Sequence, residues 1–519
     1  MIGDGGIAST SRPGSHPVAS SRILVLAALL VIAPAFAQST WRITPSISVA
    51  ETLTDNVALA PDSRKQSDLI TQISPGVQVQ STSGRLRFNA DYRANALLYA
   101  KSSSNNDVQN YLNATGTLEL VPSRVFIDAN AGITQQSFSA FGTQANLAPE
   151  NINNNRAETF SYGISPYMRG SLGTTADYQL RYSLSGSKVP GRSLAAGQVE
   201  DWFGSVTGRP VPYGFEWALN GQYSIVHPGE GRDISSRRAY GSVGYRFDPQ
   251  IRVAARAGWE SNDYAGTNNA SAATYGAQLD WVPTDRTRVS ALAEHRPFTN
   301  THQINFTHRT RLTSWILSDS KTVTSLPAQL AVGRLGTAFD LLFNVLASNF
   351  PDPVERTAEV NRRLQQSGIP RDLQLATTFV NSRVIVQRVR QASVAILGAR
   401  NTVTLAATLT DDSAVDRGAP LNDDFSTTNE IEQRSLSASW AHQLSGLTTA
   451  NLMGTYVRST GASGSGPETT EKSARFLLNH QFSPKTTGSL GLRYIRFDST
   501  TAEDFREKAI TASLFVTFY

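Results

Sequence analysis

The segment Gly84-Arg-Leu-Arg-Phe-Asn-Ala-Asp-Tyr-Arg-Ala-Asn-Ala-Leu-Leu98 alternates with a period of two. Leu86, Phe88, Ala90, Tyr92, Ala94, Ala96 and Leu98 fall on one face, and Arg85, Arg87, Asn89, Asp91, Arg93 and Asn95 on the other. Successive side chains of an extended chain point to opposite sides, so this is a strand with one apolar and one polar wall. An isolated arginine facing lipid at mid-bilayer costs about 2–4 kcal/mol. If the apolar wall meets lipid, Arg85, Arg87 and Arg93 must point inward.

The same rhythm recurs along the chain. Tyr178, Leu180, Tyr182 and Leu184 alternate with Gln179, Arg181, Ser183 and Ser185, and Ile251, Val253, Ala255, Ala257 and Trp259 alternate with Arg252, Ala254, Arg256 and Gly258. Val125, Ile127, Ala129, Ala131 and Ile133 do so with Phe126, Asp128 and Asn130. Arg493 lies on a polar face as well. The last such run places Ile510, Ala512, Leu514, Val516 and Phe518 in one phase, with Tyr519 one residue beyond. A final strand that ends on an aromatic residue is the expected barrel-assembly signal, and it must pair with the first strand if no edge is to remain.

Connections alternate in length. Short turns are expected at Ser81–Gly84, Val121–Arg124, Gly173–Thr175, Asp248–Gln250, Pro283–Arg286, Leu397–Asn401 and Ser483–Thr486, rich in Gly, Pro, Asn, Asp and Ser. Long polar loops are expected at Phe138–Arg156, Gly186–Gly197, His227–Arg237, Asp411–Glu430 and Ser459–Glu471. Short turns on one side and long loops on the other are the asymmetry of outer-membrane barrels. The fold class read from the chain is therefore all-β: a transmembrane outer-membrane β-barrel of about 20–22 antiparallel strands. Trp41, Tyr99, Phe126, Tyr162, Tyr167, Trp202, Trp217, Trp259, Trp281 and Trp440 are candidates for its interfacial aromatic girdles.

Residues 1–37 read as a secretory signal peptide: Arg12 and Arg22 precede the apolar run from Ile23 to Ala33, and Ala35-Phe36-Ala37 offers the cleavage site before Gln38. Removal takes the formal charge from +5 to +4, because Arg12, Arg22 and Asp4 leave with it. Residues 38–519 form the barrel. The mean hydropathy of −0.26 excludes a helical-bundle membrane protein but suits strands that are apolar at every second position. There is no cysteine, so neither disulfides nor thiolate chemistry hold or serve this chain. Arginine outnumbers lysine 40 to 7. An arginine-lined lumen is one reading and genomic base composition is the other.

One segment breaks the rhythm. From Leu326 to Gln366 the apolar residues Leu330, Leu335, Phe339, Leu342, Phe343, Leu346 and Phe350 follow helical spacing, interrupted at Pro351-Asp-Pro353. Residues 322–378 are read as a helical insert, a candidate lid or plug.

No phosphate-binding loop, nucleophile elbow, zinc-protease or calcium-loop motif is present. His295, His302 and His308 have no metal-ligand spacing, and polar strand ends account for them. Asp411, Asp412, Asp416, Asp423 and Asp424 read as a solvated acidic loop rather than a cation site. No catalytic, metal or cofactor residue is assigned, and no cofactor is expected. The candidate site is the set of inward basic residues Arg85, Arg87, Arg93, Arg181, Arg252, Arg256 and Arg493. Either they attract anionic solute or they form an internal lattice with acids such as Asp91, Asp128 and Glu119.

The block Trp41-Arg-Ile-Thr-Pro-Ser-Ile-Ser-Val49, then Glu51-Thr-Leu-Thr-Asp-Asn-Val57, then Asp68-Leu-Ile-Thr-Gln-Ile-Ser-Pro-Gly76 resembles the opening of the PEP-CTERM system-associated outer-membrane β-barrel family. Gly84–Arg93, Phe126-Ile-Asp-Ala129, Phe141-Gly142, Phe350-Pro-Asp-Pro353, Arg390-Gln-Ala-Ser393 and Leu397-Gly-Ala-Arg-Asn401 extend the resemblance over the mature chain. It implies a Gram-negative outer membrane and a role around extracellular polysaccharide, and it carries no site residue. The expected protein is a non-enzymatic barrel for export or surface assembly of polysaccharide. The alternative is a plugged structural or adhesive barrel. Expected partners are outer-membrane lipid and lipopolysaccharide, the barrel-assembly machinery and polysaccharide-export components, with no nucleic acid.

Overall fold

The computed structural model describes residues 41–518, except for 145–147, 191, 210–212, 230, 265–269, most of 326–378, and 380, 382, 416–422 and 463–465. The signal peptide, Asp416, the Pro351–Pro353 break and Tyr519 lie outside the described residues. In the first half the strands are β1 Trp41–Thr54, β2 Asp68–Thr82, β3 Leu86–Tyr99, β4 Asp107–Val121, β5 Val125–Ser137, β6 Arg156–Leu172, β7 Ala176–Val189, β8 Arg192–Gly208, β9 Gly214–Pro228, β10 Ile234–Arg246 and β11 Ile251–Asn262. In the second half they are β12 Ala270–Thr284, β13 Thr287–His295, β14 Thr301–Arg309, β15 Thr313–Thr324, β16 Ile385–Leu397, β17 Asn401–Ala414, β18 Glu430–Gln443, β19 Thr448–Gly461, β20 Glu468–Ser483, β21 Thr486–Ser499 and β22 Phe505–Thr517.

Each strand pairs antiparallel with its sequence neighbours, and β1 pairs with β22 from Ser46↔Thr517 to Thr54↔Ala509. The protein is thus a closed, all-β outer-membrane-type barrel of 22 strands. Closure is what the bilayer demands, since an unpaired backbone edge cannot find water in hydrocarbon. The Phe518 amide donates to the Pro45 carbonyl at 2.8 Å and extends the seam by one residue.

Register fixes the faces. Ala90 on β3 stands opposite Val79 and Ala114 on the outer wall, and Leu98, Leu180, Leu219, Val253, Leu317, Leu405, Leu452, Leu492 and Leu514 continue the exposed apolar band around it. Arg87, Asp91 and Arg93 take the other phase and face the lumen. Ala90→Arg should weaken the folded barrel by about 2–4 kcal/mol and slow membrane assembly, read as loss of the heat-modifiable gel form. Ala90→Leu should leave that form intact.

Three expectations shift. Tyr99, Phe126 and Tyr167 do not join the outer girdle. Alternation places them in the phase of Arg93, Asp128 and Arg169, and Tyr99 and Phe126 are buried inside. Trp202, Trp217, Trp259, Trp281 and Trp440 are exposed on the outer wall. The expected loop Gly186–Gly197 is largely strand, because β7 and β8 continue pairing to Val189↔Arg192. Asp411 and Asp412 likewise lie on β17, not in a loop.

β15 runs to Thr324 and β16 starts at Ile385, so the break in rhythm begins after residue 324. Of the insert, residues 359–364 are helical. Leu342, Leu346, Val360 and Leu364 are buried against Ala395 and Leu397, which face the lumen near the short-turn end of β16. These described residues of the insert therefore pack inside the barrel and not on the lipid face.

Candidate functional site

The long-loop mouth of the barrel is occupied by the connection between β5 and β6, residues 138–155. It crosses the lumen: Ala140 and Phe141 are buried with Phe379, Ile385, Phe425 and Ile431, and Ile385 opens β16, on the far side of a ring of 22 strands from β5. A buried loop must satisfy its own backbone. Asn155 does part of this, donating from Nδ2 to the Ser139 and Thr143 carbonyls at 2.9 and 3.1 Å and accepting from the Ser139 amide at 2.9 Å. A Cβ on Gly142 would run into the Asn155 side chain, so glycine is needed for this close approach.

Two polar anchors hold the loop. In the first, Arg493 of β21 donates to Glu150 of the loop, to Asn151 Oδ1 at 3.1 Å, and to Glu507 of β22 at 2.7 Å. Thr54 of β1 donates to the same Glu507 carboxylate at 2.8 Å. Asn151 Nδ2 donates to the Asn56 carbonyl at 3.1 Å, and the Tyr99 hydroxyl to the Glu150 carbonyl at 2.8 Å. In the second, Asp424 accepts from the Ala140 amide at 2.6 Å and the Ser139 hydroxyl at 2.9 Å. Its neighbour Asp423 takes a bidentate pair from Arg383 at 2.6 and 2.9 Å. Charge-assisted, bidentate contacts of this kind are the strong members of their class.

Burial pushes the Glu150 carboxyl up, but the guanidiniums of Arg493 and Arg475 and its hydrogen bonds outweigh burial and hold it below the ordinary value of 4.5. A carboxyl with a depressed folded value stabilises the closed mouth above its unfolded pKa and loses that contribution as pH falls through the folded one. The mouth should therefore stay shut at pH 5 and loosen only below the ordinary glutamate value. Proteolysis of the loop across a pH series would show this, and opening already near pH 6 would contradict it. Asp424 moves the other way: burial pushes its carboxyl up against the Ala140 and Ser139 hydrogen bonds.

The inward arginines are distributed over the whole wall and do not form one cluster. Arg493 belongs to the anchor above. Arg252 bridges Glu216 at 2.5 Å and Asp280 at 2.9 Å, and Arg246 adds a 2.8 Å contact to Glu216. Arg256 donates to Gln278 at 2.5 Å and lies over the Tyr240 ring, which Arg238 covers from 4.4 Å. Arg181 pairs with Asp128 at 3.0 Å and sits 4.0 Å over Tyr167, which stacks on Phe126, itself covered by Arg169 at 4.6 Å. Arg93 covers Tyr111 at 5.0 Å. Arg87 is exposed to the lumen, and Arg85 precedes β3 on its short turn. The lumen therefore alternates charge pairs with arginine-faced aromatic rings.

Sequence reading missed Glu150, Glu507 and the pairs Arg296–Glu260 and Arg238–Glu294. Glu507 sits in the inward phase of β22, which the alternation around Ile510 and Leu514 already defines. Glu150 carries no such signal, because a loop has no period. His295, His302 and His308 lie apart on the outer wall, with Asn300, Asp319 and Thr287 as hydrogen-bond partners. Among the described residues no group of three potential metal ligands occurs.

No family model and no curated protein matches this chain. Among solved structures it is similar to the FrpB iron transporter from Neisseria meningitidis, with TM-score 0.49 and 9% identity over 92% of this chain and 82% of that one. A mutant of the ferric enterobactin receptor PfeA from Pseudomonas aeruginosa gives TM-score 0.47 and 9% identity, covering 92% and 80%. The siderophore receptor PirA from the same organism gives 0.42 and 11%, again covering 92% and 80%. At these identities the likeness is one of barrel architecture.

Proposed function

We propose that this protein is a non-enzymatic barrel of the Gram-negative outer membrane whose closed lumen is a gated path for extracellular polysaccharide. The observation that carries the gate is the Glu150–Arg493–Glu507 anchor. It fixes the loop with a few polar contacts beside small apolar clusters around Phe141, Ala148 and Ile152, and such polar contacts can exchange for water or for an anionic ligand. Below it, rings of Phe126, Tyr167, Tyr240 and Tyr111 faced by arginines suit a chain of sugars: ring faces stack on pyranose C–H groups, and guanidiniums pair with acidic substituents. The resemblance of the opening block to barrels of exopolysaccharide systems supports the same reading.

The charge-pair lattice around Arg252 favours a second reading, a permanently plugged surface barrel. Single-channel conductance in planar bilayers separates the two. The gated reading expects the intact protein to be nearly silent. Replacing residues 139–154 by a short Gly/Ser linker and removing residues 326–378 should then give a stable pore. That pore should be blocked from the lumen by polygalacturonate more strongly than by neutral dextran of equal size. A doubly deleted protein that folds and stays silent, or a pore indifferent to the acidic polymer, would leave the plugged reading in its place.

A further inference from the structure

The outer wall of β18–β22 changes character close to the long-loop ends. Its band presents Leu436, Leu492, Tyr494 and Ile510 to the outside. Directly above stand Arg434, Arg458, Lys472, Arg496, Arg506 and Lys508, all in the outward phase. The register sets Arg434 opposite Arg458, Lys472 opposite Arg496, and Arg496 opposite Arg506. Like charges directly across a ladder repel, so this arrangement calls for an anion. Glu432, Glu468 and Asp498 lie one rung farther from the band and pair with Arg434, Arg458 and Arg496. Lys472, Arg506 and Lys508 are exposed and form no ion pair with any described residue. The wall on the other side of the barrel differs: β6–β8 carry Glu158, Lys188 and Glu200 near their long-loop ends.

A cationic rung continuous with an apolar wall selects its ligand. A soluble polyanion would answer the charge and ignore Leu436, Leu492 and Ile510. A lipid with several phosphates answers both, its acyl chains lying on the band and its phosphates at headgroup depth. We infer that the outer wall of β18–β22 is a binding site for an acylated, multiply phosphorylated lipid of the outer leaflet. Its phosphates pair with Lys472, Arg496, Arg506 and Lys508. The inference is independent of what the lumen conducts.

The test uses the whole mature protein, folded in neutral detergent and titrated with diphosphorylated lipid A or with the same lipid stripped of its phosphates. Retention is read by native mass spectrometry. The variant carrying Lys472→Gln, Arg496→Gln, Arg506→Gln and Lys508→Gln should bind the diphosphorylated lipid about a thousandfold more weakly, and the intact protein should bind the stripped lipid as weakly as that variant does. Binding should fall with salt and resist competition by inorganic phosphate. Lys188→Gln on the other wall should change nothing. Should the fourfold variant not show the heat-modifiable folded form, the double change Lys472→Gln and Lys508→Gln, which breaks no ion pair, carries the test with about a thirtyfold loss. Unchanged affinity in the folded variant, equal binding of both lipids, displacement by inorganic phosphate, or an equal loss in Lys188→Gln would each overturn the proposal.

Discussion

Arg493→Met should destabilise the closed barrel by about 3–5 kcal/mol, because it strips the partner from two buried carboxylates. Glu507 has no exposed surface and Glu150 is 8% exposed, and both direct their oxygens at the lost guanidinium. The expected readout is a lower temperature for loss of the heat-modifiable form, together with release of the 138–155 loop to protease. Lysine at the same position supplies charge without the fork, so Arg493→Lys should recover part of the loss. Adding Glu150→Gln and Glu507→Gln to Arg493→Met should restore part of the stability, since neutral amides need no countercharge while neighbouring Arg475 loses two favourable acids. A protein that tolerated Arg493→Met alone, with the loop still protected, would show that the mouth is held by the Phe141 cluster and not by the anchor.

Gly258→Val should abolish assembly rather than weaken it. An added Cβ on Gly258 would lie 2.5 Å from Tyr240 Cβ and 2.7 Å from Tyr240 Cα, and closer still to the Ala239 carbonyl oxygen. These are backbone and near-backbone atoms of the paired strand β10, which cannot move without breaking the ladder, and overpacking of this kind has no flexible neighbour to absorb it. The control is Gly221 on β9, where an added Cβ meets nothing within 4 Å. Gly221→Ala should assemble like the parent. Membrane-fraction yield of the folded form measures both, and normal yield for Gly258→Val would mean that the β10–β11 register differs from Tyr240↔Gly258.

The wall of this barrel was legible in the sequence because the bilayer enforces a period. The faces of β3, β7 and β11, and a count of about 20–22 strands, follow from alternation and turn chemistry; the pairing in the structure fixes the number at 22. The same rule, applied one residue further, would have kept Tyr99, Phe126 and Tyr167 out of the girdle. What fills the lumen was not legible. Glu150, Asn151 and Asn155 sit in a stretch whose Asn-rich composition reads as solvated loop, and only the tertiary path shows that their side chains replace water inside. The anchor joins residues of β1, β21, β22 and a loop, and no local pattern announces a contact between positions 150 and 493. The split between conduit and lattice was open for the same reason: an inward phase tells where Arg252 points, not that Glu216 and Asp280 meet it.

Glu507 takes Thr54 from the first strand, Arg493 from the strand before it and Asn151 from the loop that shuts the mouth. The loop's docking place is therefore not a property of any single hairpin. Its first anchor is complete only after the first and last strands have met, and until then Glu507 faces an open edge and Asn151 lacks the Asn56 carbonyl. Sealing is thus ordered behind ring closure. A sheet whose seam is open lacks Thr54 and the Asn56 carbonyl at this anchor, so completion of the anchor reports that the seam has zipped.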